Sequence, residues 1–171
     1  ANSRGAESLR DLVAALGPSI TAGTVLQAAS QGMAQVAVNW PKLPGALADL
    51  PDRGGRIVID ANNPVEAPLF RPAELNARAS SEVVAGLVPG ARLAKAFNHL
   101  PPPLLEGDPA AKGGRRVLFL SGDEPRARAE VAAPIERLGF FPVDLGTLAS
   151  GARLSQFSGG PLPALNLVRF A

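Results

Sequence analysis

The chain has 171 residues, a formal net charge of +2, 46% hydrophobic residues and no cysteine. This length and composition predict one soluble globular domain with a hydrophobic core, and they exclude a disordered chain. Without cysteine there are no disulfides, thiolate metal ligands or thiol nucleophiles, and a single histidine argues against a histidine-based metal cluster. The 14 Arg and 3 Lys form no basic run longer than Arg115-Arg116, which argues against nucleic acid as a partner.

The first forty residues alternate helical and extended patterns. Apolar residues at helical spacing predict a helix over residues 7–16 that ends at Gly17-Pro18. A short strand is predicted over residues 20–22, and Thr24 is predicted to cap a brief helix that runs to residue 30. Residues 12–41 carry no charge, but Gly, Pro and Gln interrupt the segment, which argues against a membrane span.

Three apolar segments end in loops that contain asparagine. Residues 33–38 run into Asn39-Trp40-Pro41, residues 57–60 into Asn62-Asn63-Pro64, and residues 92–97 into Asn98-His99. Short apolar runs closed by turn residues are typical of buried strands in a parallel sheet. Because ligands of an open α/β sheet bind outside the carboxyl ends of its strands, these three loops predict one shared binding pocket.

The remaining segments continue the alternation of strand and helix. Helices are predicted over residues 41–50, 80–88 and 124–138, further strands over 116–120 and 140–145, and a surface loop that covers the pocket over 64–79. The order of these elements predicts a doubly wound α/β fold in a single domain over residues 1–171. Its connections should be right-handed, so that helices cover both faces of the sheet.

Several motifs together resemble the NADPH-dependent reductases of the deazaflavin coenzyme F420. They are Asn2-Ser3-Arg4-Gly5, Val38-Asn39-Trp40-Pro41, the segment from Ile57 to Pro64, Lys95-Ala96-Phe97-Asn98 and the segment from Pro142 to Gly146. The resemblance runs from Asn2 to about Phe170. It implies a Rossmann-type NAD(P)-binding fold and a cytoplasmic oxidoreductase that moves a hydride between NADP(H) and coenzyme F420.

In that family the domain begins with a strand, a glycine-rich phosphate turn and a helix. The glycine pairs of this chain, Gly54-Gly55, Gly113-Gly114 and Gly159-Gly160, do not follow a predicted strand. The resemblance therefore implies a chain that is truncated at its N-terminus. The strand over residues 33–38 should then have an open edge, and the strand over 20–22 should lack its normal neighbour.

The resemblance also assigns residues to the cofactor. Ser3 and Arg4 would bind the 2′-phosphate that distinguishes NADP from NAD, although a frayed terminus is an equal alternative for them. The other predicted cofactor-binding residues are Val38, Asn39, Asn62, Asn63, Ala96 and Asn98. The family most often has proline at the position of Asn39, and Asn62-Asn63 would also suit a plain turn.

No catalytic residue is predicted, because hydride transfer between two bound rings requires proximity more than a proton shuttle. His99 is interpreted as a loop or pocket-wall residue, and Asp60 as a cap of the loop that follows its strand. Lys95 is interpreted as an edge or snorkelling lysine. Trp40 is interpreted as a core aromatic at the start of a helix.

Two other functions stay open from the sequence. One is an NADPH-dependent reductase that acts on a flavin or on a small imine or keto substrate. The other is a non-catalytic nucleotide-binding or interaction module, or an inactive fragment whose sheet is completed in a homodimer. In each case the expected ligands are small-molecule cofactors, and neither nucleic acid nor a membrane is expected as a partner.

Overall fold

The computed structural model describes residues 5–66 and 68–170, and the strands of these residues form a six-stranded sheet and a small separate hairpin. In chain order the strands are β1 (Met33–Val36), β2 (Ile57–Asp60), β3 (Val65–Glu66), β4 (Arg71–Pro72), β5 (Arg92–Ala96), β6 (Arg115–Gly122), β7 (Phe141–Asp144) and β8 (Val168–Arg169). The order across the main sheet is β1-β2-β5-β6-β7, and β8 adds to β6. Strands β3 and β4 form the hairpin. This is the Rossmann-like fold that the sequence predicts.

The helices are short apart from α6. They are α1 (Arg10–Leu16), α2 (Val25–Ala29), α3 (Leu43–Leu47), α4 (Ser80–Ala85), α5 (Pro102–Glu106), α6 (Pro125–Arg137) and α7 (Arg153–Ser155), with a π-helical turn over Leu148–Ala152. Thr24 caps α2 as predicted: its Oγ1 accepts a hydrogen bond from the Gln27 amide at 3.1 Å, and Gln27 Oε1 accepts one from the Thr24 amide at 2.8 Å. Within the described ranges, every helix falls short of the length and apolar character that a bilayer span requires.

The main sheet is mixed. Strands β1, β2 and β5 are parallel, but β6 runs antiparallel to β5, and β7 is parallel to β6. The connection over residues 97–114 contains α5 and returns the chain antiparallel beside β5. Its length would also permit a crossover to a parallel strand, so length alone does not set the direction of β6.

Helices cover both faces of the sheet, as predicted. Alternate residues of β2 point to opposite faces: Ile57 and Ile59 belong to the hydrophobic cluster that α6 covers, and Val58 belongs to the cluster that includes residues of α3 and α4. All four residues of β2 are buried. The central strand therefore lies between two hydrophobic layers, which accounts for its continuous apolar run.

Three predictions about single elements need correction. The strand expected over residues 20–22 is not assigned in the structure, although the backbone at Ile20 is extended. The loop expected over 64–79 contains the hairpin of β3 and β4. Strand β8, which pairs with the start of β6, was not predicted because two residues are too short to show a pattern.

The open edge predicted for the strand over 33–38 is confirmed. Strand β1 lies at the end of the sheet and pairs with β2 alone in the part of the chain that the structure describes. Its other side presents backbone groups of a parallel strand to an adjoining groove.

Candidate functional site

The loops that follow β1 and β2 are joined by the side chain of Asn62. Its Oδ1 accepts a hydrogen bond from the Val38 amide at 2.7 Å, and its Nδ2 donates to the Val36 carbonyl at 3.1 Å. Asn62 is only 4% exposed. One buried amide therefore fixes the carboxyl end of the edge strand against that of the central strand.

The loops that follow β2 and β5 are joined by a second pair of asparagines. Asn63 Nδ2 donates to the Asn98 carbonyl at 2.7 Å, and Asn98 Nδ2 donates to Asn63 Oδ1 at 3.1 Å. Asn98 Nδ2 also donates to the Ser155 carbonyl at 2.7 Å, and the Phe157 amide donates to Asn63 Oδ1 at 3.0 Å. The segment that contains α7 is thereby attached to the same edge of the sheet.

The three polar loops predicted from the sequence thus meet at one edge of the sheet. Among the predicted site residues, Asn62 and Asn98 are buried, Val38 and Asn63 are half-buried, and Asn39 is exposed. Ala96 has no exposed surface and belongs to the hydrophobic core. Ser3 and Arg4 lie outside the described residues.

A groove of about 230 Å³ runs beside the open edge of β1. It extends from Val38, at the carboxyl end of the strand, to Arg53 in the loop before β2, and α2 and α3 contribute apolar side chains to its walls. Of the predicted cofactor-binding residues that the structure describes, only Val38 lines this groove. The side chains of Asn62, Asn63 and Asn98 hydrogen-bond to each other or to the backbone, so they stabilise the loops and do not line the groove.

Arg53 is the unusual residue of the groove. It is 2% exposed, and its Nε and Nη2 have no hydrogen-bond partner among the described residues. Burial, and to a smaller extent the nearby charge of Arg56, lowers the pKa of Arg53 from its ordinary value. A buried guanidinium with two unsatisfied nitrogens is a local charge that an anion would stabilise.

The sequence interpretation missed a buried ion pair below the three loops. Lys95 Nζ lies 3.1 Å from Asp60 Oδ2, and both side chains are fully buried. Lys95 is therefore neither an edge lysine nor a snorkelling one, whereas Asp60 caps its loop as predicted, because its Oδ1 accepts from the Asn62 amide at 3.0 Å. The sequence did contain a signal for this pair, because Asp60 and Lys95 each stand near the carboxyl end of an apolar strand. The register between β2 and β5 places the two residues side by side.

His99 and Trp40 belong to the framework of the site. The His99 ring packs against Phe119 with the ring centroids 4.7 Å apart. Burial lowers the pKa of His99 to about 4, so the ring is neutral at pH 7, and the backbone of Val117 opposes this shift only in part. Trp40 is half-buried and packs against the hydrophobic cluster below α3 and α4 at the start of a 3₁₀ turn.

The loops leave one polar atom unsatisfied and lack one feature of dinucleotide sites. Asn98 Oδ1 is buried without a hydrogen-bond partner in the described ranges. A glycine-rich turn after a strand, which would hold the pyrophosphate, does not occur in the described ranges, because Gly54-Gly55 and Gly113-Gly114 precede β2 and β6. The described residues therefore offer the strand ends of a dinucleotide site without its phosphate turn.

Comparison with known proteins agrees with this geometry. Residues 1–64 match the model of a family described as NADP oxidoreductase, coenzyme F420-dependent. The hypothetical protein SMa0349 of Sinorhizobium meliloti is 43% identical, and the similarity covers 98% of this chain and 82% of that protein with a TM-score of 0.92. The N-terminal part of the chain therefore matches NADP-dependent oxidoreductases, and nearly the whole chain matches SMa0349.

Two further relatives are similar over part of the chain. A structure from Arthrobacter sp. FB24, proposed to be an F420-dependent NADP-reductase, is 27% identical over 74% of this chain and 61% of its own, with a TM-score of 0.62. The metalloreductase STEAP3 of Rattus norvegicus is 33% identical over 106 residues, which are 61% of this chain and 20% of that protein. The chain thus spans about a fifth of the length of this curated relative.

Proposed function

We propose, since this chain belongs to the same protein family as SMa0349 of Sinorhizobium meliloti, that it forms most of the NADP(H)-binding domain of an oxidoreductase. One observation carries the proposal. The carboxyl ends of three neighbouring parallel strands, β1, β2 and β5, are held together by buried asparagines at the edge where open α/β sheets bind ligands.

Each predicted residue has a place in this proposal. In this proposal Val38, Asn39, Asn62 and Ala96 lie along the dinucleotide, and Asn63 lines the cofactor next to Asn62. Ala96 and Asn98 belong to the segment proposed to lie beside the nicotinamide. Ser3 and Arg4 bind the 2′-phosphate, where a planar guanidinium suits the anion. Bound NADPH supplies the hydride, and the protein supplies alignment and excludes water.

The phosphate turn is proposed to lie in a segment that precedes this sequence in a longer protein. The open edge of β1 supports this proposal, because a strand added there would pair with backbone groups that no described strand binds. The groove supports it as well, because a helix after that strand would cover its apolar walls, and Nε and Nη2 of Arg53 have no partner among the described residues.

The proposed hydride acceptor is coenzyme F420, and the proposed compartment is the cytoplasm. The family match of residues 1–64 and the Arthrobacter relative support the deazaflavin. NADPH oxidation should then depend on added F420 and not on free flavin. If NADPH is oxidised with free flavin, or with a small imine or ketone, and not with F420, the acceptor proposal is wrong and the alternative substrate takes its place. The proposed NADPH site would be unaffected by that result.

The decisive binding test is a titration with NADPH, and with NADH in parallel, followed by Trp40 fluorescence and calorimetry. It should be made on this chain and on a longer version that carries a strand, a glycine-rich turn and a helix before Ala1. We expect the longer version to bind NADPH, and Arg4→Ala to weaken NADPH roughly 10- to 100-fold with little effect on NADH.

The matched control is Arg10→Ala, which removes an exposed arginine paired only with Glu7 and should leave both affinities unchanged. If this chain alone binds NADPH as tightly as the longer version, the missing-turn proposal is wrong. If neither version binds, the dinucleotide function is wrong.

A homodimer completed through β1 is the competing proposal, and its support is the same open edge. Sedimentation of this chain distinguishes the two. A monomer that melts in one sharp transition would exclude the dimer, and a dimer that dissociates when the N-terminal segment is added would indicate that both occupy the same edge.

A further inference from the structure

Lys95 holds a position from which its ammonium group organises the candidate site. It is 1% exposed, and its Nζ has three acceptors: Asp60 Oδ2 at 3.1 Å, the Asn62 carbonyl at 2.7 Å and Ser80 Oγ at 3.2 Å. An ammonium group has three donors. Every donor of this buried cation therefore has a partner, and the shortest contact is to the backbone of the loop after β2.

Asp60 is equally well satisfied. Its Oδ2 accepts from Ser81 Oγ at 2.6 Å as well as from Lys95, and its Oδ1 accepts from the Asn62 amide at 3.0 Å and from Asn62 Nδ2 at 2.8 Å. Both partners of the ion pair thus bind Asn62, Lys95 through the carbonyl and Asp60 through the amide groups. The conformation of Asn62 is fixed from below by two opposite charges.

Asn62 also connects the ion pair of Lys95 and Asp60 to the edge of the sheet. Its Oδ1 accepts from the Val38 amide, and its Nδ2 donates to the Val36 carbonyl. A continuous set of hydrogen bonds therefore leads from Lys95 on β5, through Asn62 after β2, to the end of β1. These are the three strand ends that the proposed function uses.

Stability alone does not explain such a pair. A buried ion pair can often be replaced by apolar side chains of similar volume without loss of stability, because the desolvation of two charges offsets their attraction. What apolar residues could not replace here is the set of directional bonds to Asn62. We propose that Lys95, together with Asp60, is a positioning residue that holds the loops after β1 and β2 in the conformation that binds NADP(H). The NADP(H) part rests on the function proposed above.

The test uses the double variant Lys95→Met with Asp60→Asn. Removing Lys95 alone leaves a buried carboxylate without its cation and risks unfolding, whereas the double variant removes both charges and keeps similar volumes. The side-chain amide introduced by Asp60→Asn still offers an acceptor to the Asn62 amide, so the variant removes chiefly the contact from Nζ to the Asn62 carbonyl. Melting and circular dichroism establish that the variant is folded.

Two measurements then follow. The first is hydrogen exchange of the Val38 amide in this chain without nucleotide, which we expect to become at least tenfold faster in the double variant. The second is the NADPH dissociation constant, in the version of the protein that binds NADPH, which we expect to rise at least tenfold. A merely structural role would change neither once the variant is folded.

The matched control lies on the same strand. Arg92, at the start of β5, pairs with Glu130 of α6 at 2.8 Å in a partly exposed ion pair. The double variant Arg92→Met with Glu130→Gln removes an ion pair of β5 at the opposite end from the loops. It should leave both the exchange of Val38 and the NADPH affinity unchanged.

The outcomes separate this inference from the proposed function. If the folded Lys95→Met, Asp60→Asn variant keeps wild-type exchange at Val38, the positioning role is wrong, whatever the protein binds. If exchange at Val38 becomes faster but NADPH affinity is unchanged, the loops are held by Lys95 but are not the binding loops, and the inference is again wrong. If the wild-type protein binds no NADPH in any version, the proposed function fails, and exchange at Val38 alone decides whether Lys95 positions the loops.

Discussion

Two of the buried cations among the described residues, Lys95 and Arg53, have opposite surroundings. Lys95, below the carboxyl ends of the strands, has three oxygen acceptors and an ion-pair partner. Arg53, in the groove beside β1, has two guanidinium nitrogens without a partner among the described residues. Both residues are almost fully shielded from solvent.

The difference shows which parts of the fold this chain completes by itself. Taking a charge out of water costs several kcal/mol unless hydrogen bonds and an opposite charge replace the lost solvation. The loop edge supplies such partners to Lys95 from residues 60, 62 and 80. The edge of β1 leaves Nε and Nη2 of Arg53 without a partner among the described residues.

The largest effect on stability is expected from Lys95→Met, which tests whether Lys95 is the well-satisfied cation of this comparison. The substitution leaves Asp60 as a buried carboxylate without its cation, so the free energy of unfolding should fall by about 3–5 kcal/mol. Urea denaturation measures the loss. Arg92→Met, on the same strand but partly exposed, removes a pair with Glu130 and a bond to the Gly55 carbonyl and should cost much less. An equal loss for both variants would contradict the importance of the buried pair.

His99, like Asn98 Oδ1, is an exception at the loop edge, because its ring nitrogens lack hydrogen-bond partners in the described part of the chain. Its pKa is about 4 in the folded protein and about 6.5 when unfolded. Between these values the unfolded state binds more protons, so the free energy of unfolding should be largest above pH 6.5 and fall as the pH decreases to 4. The expected loss from this group is about 3 kcal/mol.

The pH dependence of His99 is isolated by comparison with His99→Leu, which cannot titrate. The difference in unfolding free energy between the two proteins should change by about 3 kcal/mol between pH 7 and pH 4. Carboxylates contribute equally to both proteins and cancel. A constant difference over this range would show that His99 is solvated in the folded state.

Arg53→Met should act in the opposite direction from Lys95→Met. It removes a buried guanidinium with unsatisfied nitrogens and keeps an apolar side chain in the groove, so unfolding free energy should rise by about 1–2 kcal/mol. Thermal denaturation of this chain measures the gain. In a longer version whose added segment places a carboxylate against Arg53, the same substitution should become destabilising, and this change of sign would identify the missing partner.

The smallest effect is expected at the helix beside the groove. Thr24→Ala removes the side-chain oxygen that accepts from the Gln27 amide, and the loss of the cap should cost about 1 kcal/mol. Thr24→Ser keeps the hydroxyl and should recover most of the loss. If Thr24→Ala costs nothing, α2 is not held by its local bonds, and the groove wall depends on contacts elsewhere.

Local features of the structure were predictable from local sequence. The cap at Thr24, the burial of β2 and the asparagine loops follow from residues within a few positions of each other. The antiparallel direction of β6 was not predicted, because the connection over residues 97–114 is also long enough for a crossover to a parallel strand. Pattern reasoning identifies strands well but reads their direction only through the connections between them.

The sequence predicted which loops form the candidate site, but it did not predict the hydrogen bonds and the ion pair that join them. Asn63 contacts the backbone of Asn98, 35 residues away, and of Phe157, 94 residues away. The pairing of Lys95 with Asp60 requires the register between β2 and β5, which a one-residue shift would destroy. Such contacts depend on the assembled sheet, so no local pattern reveals that a lysine in a strand is fully buried.

The open edge of β1 has a further consequence for the protein in solution. Its sequence, Met33-Ala-Gln-Val-Ala-Val38, has no charged residue, no proline and no glycine, and the uncharged stretch around it extends from residue 12 to 41. Natural edge strands are usually protected from intermolecular pairing by lysines, prolines or bulges. Without such gatekeepers we expect this edge to favour intermolecular β-pairing at high protein concentration.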